Sequence, residues 1–277
     1  MAVFAASRES FGMPLAVYPG LAMRAGGRIC VCVVSRSLSM GLSTGASAIL
    51  LYHSLDPTGG LFSINPDLFR RHVEAIAQSG ISVAPLARVR ETPGALALTF
   101  DDGHRNFLDH ALPLLLEFRM PATMFVVSGY CGHKPGALNW SEVQEIAAAG
   151  IHIGAHSVTH RDLTTLSAAE AQVEMRGSQA HIEDRLGRSV RAFAYPYGRS
   201  NTHVRRLASE IFDLACGVKP AQAGRDSDPF NLPRVFDFYV RNPHRLRRLA
   251  RSEGRAYLAL RRTASALRRG VAAKTAR

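Results

Sequence analysis

The architecture this sequence predicts is α/β: a distorted parallel (β/α) barrel of about seven strands. Three observations carry that expectation. From about Ser47 onward, short apolar segments alternate with helix-patterned ones, and such alternation gives a mostly parallel sheet covered by helices. The repeating units number seven or eight, which suits closure into a barrel better than an open sheet. The residues best able to do chemistry fall where the apolar runs stop, the carboxyl ends at which parallel barrels keep their sites.

The elements follow in order. AILLYHS (48–54) reads as the first strand, with a helix through PDLFRRHVEAIAQSG after it. ISVAPL and ALALTF (95–100) read as strands because they are short, apolar and bounded by turn residues. HALPLLLEFRM is helical, ATMFVVSG (122–129) is a strand, and SEVQEIAAAG is a helix with Ser141 as its expected cap. IHIGAH (151–156), the helix SAAEAQVEMRGSQAHIEDRLG, RAFAYPYG (191–198), VRRLASEI and FDLACGV (212–218) continue the pattern, and RVFDFYV (234–240) is a last strand. Gly80, Gly150 and Gly187 stand where helices must stop, as suits a residue tolerant of positive φ.

Composition narrows the function classes. The chain has 277 residues, 47% hydrophobic and 20% charged, and a formal charge of +12. That charge is local: residues 241–277 hold eleven Arg and one Lys against the single acid Glu253, a net +11, so the body is near neutral. An electrostatic partner therefore belongs to the tail, and a nucleic-acid protein is disfavoured. Leu246, Leu249, Ala250, Tyr257, Leu260, Ala264 and Leu267 form one apolar stripe opposite most of the arginines, a basic amphipathic pattern suited to an anionic membrane surface or to packing on the barrel. The four cysteines match no zinc or disulfide spacing. No run approaches the ~20 apolar residues of a membrane span, and Ile29–Val34 with Arg36 makes a poor signal peptide. The expected location is cytoplasmic or peripheral to the membrane. Three regions result: an extension over 1–46, expected to be disordered or not native; a catalytic domain over 47–240; and the basic tail over 241–277.

Two adjacent carboxylates, Asp101 and Asp102, end the strand ALALTF. Like charges placed together gain nothing structurally, so a cation or a proton belongs there. His156 and His160 stand four apart as another strand ends. If the chain turns helical there, both rings project from one face within reach of one ion. Two imidazoles and one carboxylate leave coordination positions open, the pattern of a catalytic metal site. TFDDG, HSVTH and FAYPYG, with the softer LLYHSL, LPLLLEFRMPATMFV and LNWSEVQEIAAAGIHIGAHS, together resemble the polysaccharide deacetylases, the NodB-homology carbohydrate esterases, over roughly residues 47–240.

The resemblance implies a barrel of NodB-homology type and a hydrolase that removes acetyl groups from N-acetylated sugars, such as N-acetylglucosamine units of an exopolysaccharide, a cell-wall polymer or a lipid-linked glycan. It implies one divalent metal ion, Zn2+ first and other divalent transition metals next, on Asp102, His156 and His160. Asp101 becomes the general base toward a metal-bound water, and the backbone amide of Tyr197 a donor to the oxyanion. The chain also departs from the family. Ala194 stands where many members carry an arginine that orients the catalytic Asp, and Arg234 is the candidate substitute. The usual C-terminal Leu-x-His is missing; Tyr52-His53 fits a permuted version, which makes His53 the candidate general acid. These departures leave an alternative, a catalytically weak or inactive glycan- or membrane-binding module on the same fold. Trp140 and His152 are expected to pack, His104 to touch substrate or nothing, and His72, His110, His181, His203 and His244 to have no role.

Overall fold

The protein is described here by a computed structural model covering residues 46–275 apart from 59 and 61, with side chains to residue 263. The expectation for residues 1–46 therefore lies, except for Ala46, outside the described residues. Seven strands form one all-parallel sheet in the order β8-β7-β6-β5-β4-β1-β9: β1 (Ala48–Tyr52), β4 (Leu96–Phe100), β5 (Ala122–Val126), β6 (His152–Ala155), β7 (Ala192–Ala194), β8 (Leu214–Cys216) and β9 (Val235–Phe236). A separate parallel pair, β2 (Ser54–Leu55) and β3 (Ser63–Ile64), lies just after β1. The sheet curls on itself. Leu232 bridges Cys216 of β8, while Val235 and Phe236 pair with Leu50 and Leu51 of β1, so one segment joins the two ends of the curl.

Burial explains the strand composition. β1, β4 and β5 are buried along their whole length, because helices cover one face while the other fills the barrel, and so they read as continuous apolar runs. Each fully buried Leu or Phe contributes roughly 1.5–3 kcal/mol of transfer free energy. The covering layer is α1 (Pro66–Ser79), α2 (Asn106–His110), α3 (Leu112–Glu117), α4 (Trp140–Ala148), α5 (Ala168–Leu186) and α6 (Thr202–Ile211). Two further helices, α7 (Leu246–Leu249) and α8 (Ser252–Thr275), follow β9. Helix ends are set chemically: Asn65 caps α1 through Asp67 N, Ser167 makes a capping box with Glu170, and Gly80 and Gly187 take left-handed conformations at the C-caps.

Several local expectations change. ISVAPL does not form a strand: Val83 makes one bridge to Leu96 before a 3-10 turn at Leu86–Arg88. RVFDFYV pairs only at Val235–Phe236, then tightens into a 3-10 turn at Asp237–Tyr239. The cap of α4 is Asn139, two residues before Ser141, because Asn139 and Glu142 exchange side-chain and backbone hydrogen bonds. In the C-terminal segment Leu246, Leu249 and Ala250 are buried in the main core and Tyr257 packs against it, whereas Leu260 is exposed. The side chains of Ala264 and Leu267 lie outside the described residues. Among those residues, no helix is long and apolar enough to cross a membrane.

Candidate active site

The carboxyl ends of the strands bring the predicted residues to one cavity of about 270 Å3, lined by His53, Phe62, Asp101, Asp102, His156, His160, Tyr197, Gly198, Val218 and Phe236. His53 follows β1, the Asp pair follows β4, His156 follows β6 and Tyr197 lies beyond β7. Parallel strands held in register place these loops side by side; Asp101 N–H donates to the carbonyl of Tyr52 and His156 N–H to that of Val126. Arg234, from the segment entering β9, comes in from below and is fully buried.

The backbone at this end is unusual. Among the described residues five non-glycines have positive φ, and four of them are here: Asp102 (72°), Ser157 (64°), His160 (59°) and Tyr197 (58°). Each such conformation costs on the order of 1–3 kcal/mol and persists only where surroundings over-determine it. The His156–His160 stretch is accordingly a looped turn rather than the helical turn the spacing suggested. The reason lies in α5. Glu174, buried, accepts from Val158 N (2.9 Å), Thr159 N (2.8 Å) and Thr159 Oγ1 (2.6 Å). His160 N donates to Ser157 Oγ, and the carbonyls of Ser157 and Val158 accept from Ser128 N and Gly129 N. With its polar backbone satisfied this way, the loop holds the two imidazoles 4.9 Å apart and edge to face. At Gly198, with φ of 65°, a Cβ would collide with Val218, so the turn beyond Pro196-Tyr197 requires glycine.

Asp102 Oδ1, His156 Nε2 and His160 Nε2 converge, and the ligand atoms of these three residues all lie within 4.8 Å of one another. Oδ1 stands 3.4 Å from His156 Nε2 and 3.3 Å from His160 Nε2. Two ligand atoms each about 2.1 Å from a tetrahedral ion are about 3.4 Å apart, so the spacing suits a shared cation. Asp102 Oδ1 is also buried without a hydrogen bond. His156 Nδ1 is 2.7 Å from the carbonyl of Ala194; a carbonyl only accepts, so the proton is on Nδ1 and the lone pair of Nε2 faces the carboxylate. Two acceptors facing each other in a buried site call for a cation or a proton. A divalent ion fits this donor set. The second oxygen of Asp102 lies 3.5 Å from His104 Nε2.

Asp101 is engaged differently. Arg234 forks onto it, Nη1 to Oδ1 and Nη2 to Oδ2, both at 2.7 Å, while its Nε donates to the carbonyl of Gly217 at 2.9 Å. Burial pushes the Asp101 carboxyl up, but Arg234 and His156 outweigh it, and the group is held below its ordinary range. Burial likewise raises Asp102, and His104, His156 and His160 beside it bring it well below the usual carboxylate range. For His156, burial favours the neutral ring, and the charges of Asp101 and Asp102 reverse that effect. His53 is pushed down by burial, only partly countered by the two aspartates. Its ring stacks on Phe236 at 5.8 Å and 6°, and its Nδ1 has no hydrogen-bond partner.

The remaining residues separate. Trp140 packs on the core near Arg185, away from the cavity lining. His152 is exposed rather than packed, because β6 begins there at the far end of the strand. His72 is buried and its Nδ1 sits 3.1 Å from the Tyr52 hydroxyl, an arrangement no local pattern signals. Glu174 was equally unmarked in the sequence, since a mid-helix glutamate gives no sign of turning inward.

Residues 88–211 match the family model described as polysaccharide deacetylase. Among curated relatives, YxkH of Bacillus subtilis (strain 168), named for the same family, is 27% identical over 196 residues, covering 68% of this chain and 70% of that protein. A chitin deacetylase of Colletotrichum lindemuthianum is 30% identical over 143 residues, 48% of this chain and 56% of the relative, so the chain spans little more than half of that protein. Among solved structures, the Streptococcus pyogenes deacetylase PplD in complex with acetate superposes with a TM-score of 0.65 at 24% identity, covering 69% of this chain and 92% of PplD. IcaB from Ammonifex degensii gives 0.61 at 23% identity, with 69% and 91% covered. At such identities the two structures establish the fold.

Proposed function

We propose that the chain, whose residues 88–211 match the polysaccharide deacetylase family model, is a metal-dependent hydrolase releasing acetate from N-acetylated sugar units of a glycan. The observation that carries this reading is the convergence of Asp102, His156 and His160 beside a carboxylate, Asp101, that is committed to Arg234 instead. The three ligand residues would hold one divalent ion, Zn2+ by the nitrogen-oxygen donor set. When bound, such an ion supplies Lewis-acid polarisation of the acyl group and lowers the pKa of a water from about 15.7 toward 7.

The chain's own groups account for the rest. Hydrolysis adds water across the C–N bond, so one group takes a proton from the attacking water and another returns one to the departing amine. Asp101, ionised and fixed in orientation by Arg234, takes the first. His53 lines the same cavity and is the donor to the amine; burial favours its neutral ring, so it first takes up a proton, the one Asp101 removes from the water, and then passes it to the departing nitrogen. The N–H of Tyr197, on a left-handed residue of the wall, serves the oxyanion as the acyl carbon becomes tetrahedral. Residues 47–240 are taken as the catalytic domain. An anionic membrane surface is proposed as partner of residues 241–277 on charge alone, because half of their apolar stripe is already in the core.

Metal analysis of the purified protein, with acetate release from a panel of acetylated oligosaccharides, tests this. Stoichiometric metal and turnover are expected, with metal lost in His156→Ala and turnover lost in Asp101→Asn. Metal at full occupancy with no turnover of any acetylated glycan or chromogenic acetyl ester would leave a binding module instead.

A further inference from the structure

A second cavity, of about 660 Å3, opens at the other end of the barrel. It adjoins Ala46 and Pro93, which precede β1 and β4 and so mark the amino ends of the strands, whereas the reacting groups stand at the carboxyl ends. The two cavities share no lining residue. One wall of the second is the segment 220–227 between β8 and β9. The other is a face of α8, on which Arg255, Leu258, Ala259 and Arg262 recur at i, i+3, i+4 and i+7. Leu258 is buried in the main core and presses that face onto the barrel. The loop wall is tied down as well. Ala223 exchanges both backbone hydrogen bonds with Ser47, at 2.7 and 2.8 Å, and the carbonyl of Arg225 accepts from Arg90 Nη2 at 2.7 Å.

The lining suits an anion. Arg225, Arg255 and Arg262 stand there against a single acid, Asp226. Among the described residues no ion pair or hydrogen bond engages any of these three guanidinium groups. One unpaired surface arginine is ordinary, but three around one cavity create a positive potential, and the planar fork of each matches the oxygens of a phosphate. Ser227 Oγ accepts from Gly224 N at 3.0 Å, which leaves its own hydrogen to donate. Gln222 adds a second requirement. Its Nε2 donates to the carbonyls of Leu249 (2.8 Å) and Arg251 (2.6 Å), so both amide hydrogens are used and the side chain is fixed. Its Oε1 is buried without a hydrogen-bond partner and calls for a donor. The flanking stretches of the chain do not answer the positive charge: residues 1–45 and 264–277 together hold seven Arg and one Lys against the single acid Glu9.

We propose that this cleft binds a phosphate ester carrying a free hydroxyl, the chemistry of a glycerol phosphate, either as a soluble ester or as the headgroup of an anionic lipid. The three arginines and the Ser227 hydroxyl hold the phosphate, and Gln222 Oε1 accepts from the ligand's hydroxyl. At about 660 Å3 the cleft falls within the roughly 300–1,000 Å3 of small-molecule sites. Because it shares no residue with the catalytic cavity, the inference goes beyond the deacetylase reading and does not depend on it. As a lipid site, the cleft turns the general attraction of a basic tail for an anionic surface into a defined contact. It also directs the catalytic mouth, at the opposite end of the barrel, away from the bilayer.

Titration calorimetry with glycerol 3-phosphate reads the soluble ester, and flotation with phosphatidylcholine vesicles containing phosphatidylglycerol reads the lipid. Saturable binding is expected in at least one arm, and the arm that binds names the source. Arg255 and Arg262 are exposed, so Arg255→Gln combined with Arg262→Gln leaves the fold intact. That pair should weaken binding about tenfold, with metal content and hydrolysis of a small acetyl ester unchanged. Arg247→Gln combined with Arg248→Gln removes the same charge from α7, outside the cleft lining, and should stay near wild type. Ethyl phosphate and phosphatidylmethanol carry the phosphate without the hydroxyl and should bind more weakly, each in its own arm. Equal losses in the two arginine pairs would reduce the binding to general charge and overturn the site, as would no binding in either arm. Equal affinity for the ligands without the hydroxyl would overturn the part given to Gln222.

Discussion

Replacing Arg234 by methionine keeps the aliphatic bulk and removes the guanidinium from a site with no solvent access. What is lost is two charge-assisted hydrogen bonds of 2.7 Å to Asp101 and one of 2.9 Å to Gly217. What remains is a buried carboxylate whose ionised form faces the burial penalty with only the imidazoles of His156 and His53 to offset it. Removing one partner of a buried ion pair costs roughly 3–5 kcal/mol. With a urea m-value of about 3 kcal/mol/M, that shifts the midpoint down by more than about 1 M. Adding Asp101→Asn removes the stranded charge, and the double variant should recover much of the loss, a coupling of about 2–3 kcal/mol. Turnover in Arg234→Met should drop by about a hundredfold, since a displaced base loses its geometry, while metal content holds. Urea unfolding of the four proteins followed by circular dichroism measures the cycle. An Arg234→Met loss below about 1 kcal/mol, or strictly additive effects, would refute the view that this arginine orients and neutralises Asp101.

Two further outcomes follow from the surroundings of the site. Glu174→Ala strips Val158 N, Thr159 N and the Thr159 hydroxyl of their acceptor, so metal affinity measured by chelator competition should weaken about 10–100-fold; Glu174→Gln, which keeps a carbonyl for both N–H groups, should stay near wild type, and equal losses in the two would refute a geometric role. Burial pushes Asp237 up from 3.8 to about 6. A raised folded-state pKa gives stability that is complete below the unfolded value and is lost as pH climbs through about 6, so Asp237→Asn should match wild type near pH 4 and exceed it at pH 8 by up to about 3 kcal/mol; a difference independent of pH in urea melts would exclude that linkage.

The strands that carry the site could be read locally because parallel, doubly covered strands must be apolar along their length. ALALTF and ATMFV became β4 and β5 for that reason. ISVAPL has the same composition and did not, since Val83 meets β4 at only one bridge; pairing geometry, not composition, decides that case. The Asp101-Asp102 and His156/His160 groups were visible as chemistry, but the conformation between the histidines was not. A four-residue spacing suggested a helical turn, and the turn is instead looped by Glu174, whose part in it depends on how α5 packs.

Composition and order along the chain were enough to determine an alternating barrel, the strand ends at which its reactive groups emerge, and the confinement of excess positive charge to the last residues. These are properties of short windows, governed by periodicity and by the cost of burying polar atoms. The tertiary structure alone decided which oxygen of which aspartate faces the imidazoles, that Arg234 reaches Asp101 across 133 positions of sequence, and that Phe236 and Phe238 look outward while Asp237 looks in. Such choices depend on contacts between segments remote in sequence, where distance and orientation, rather than residue type, set the energy.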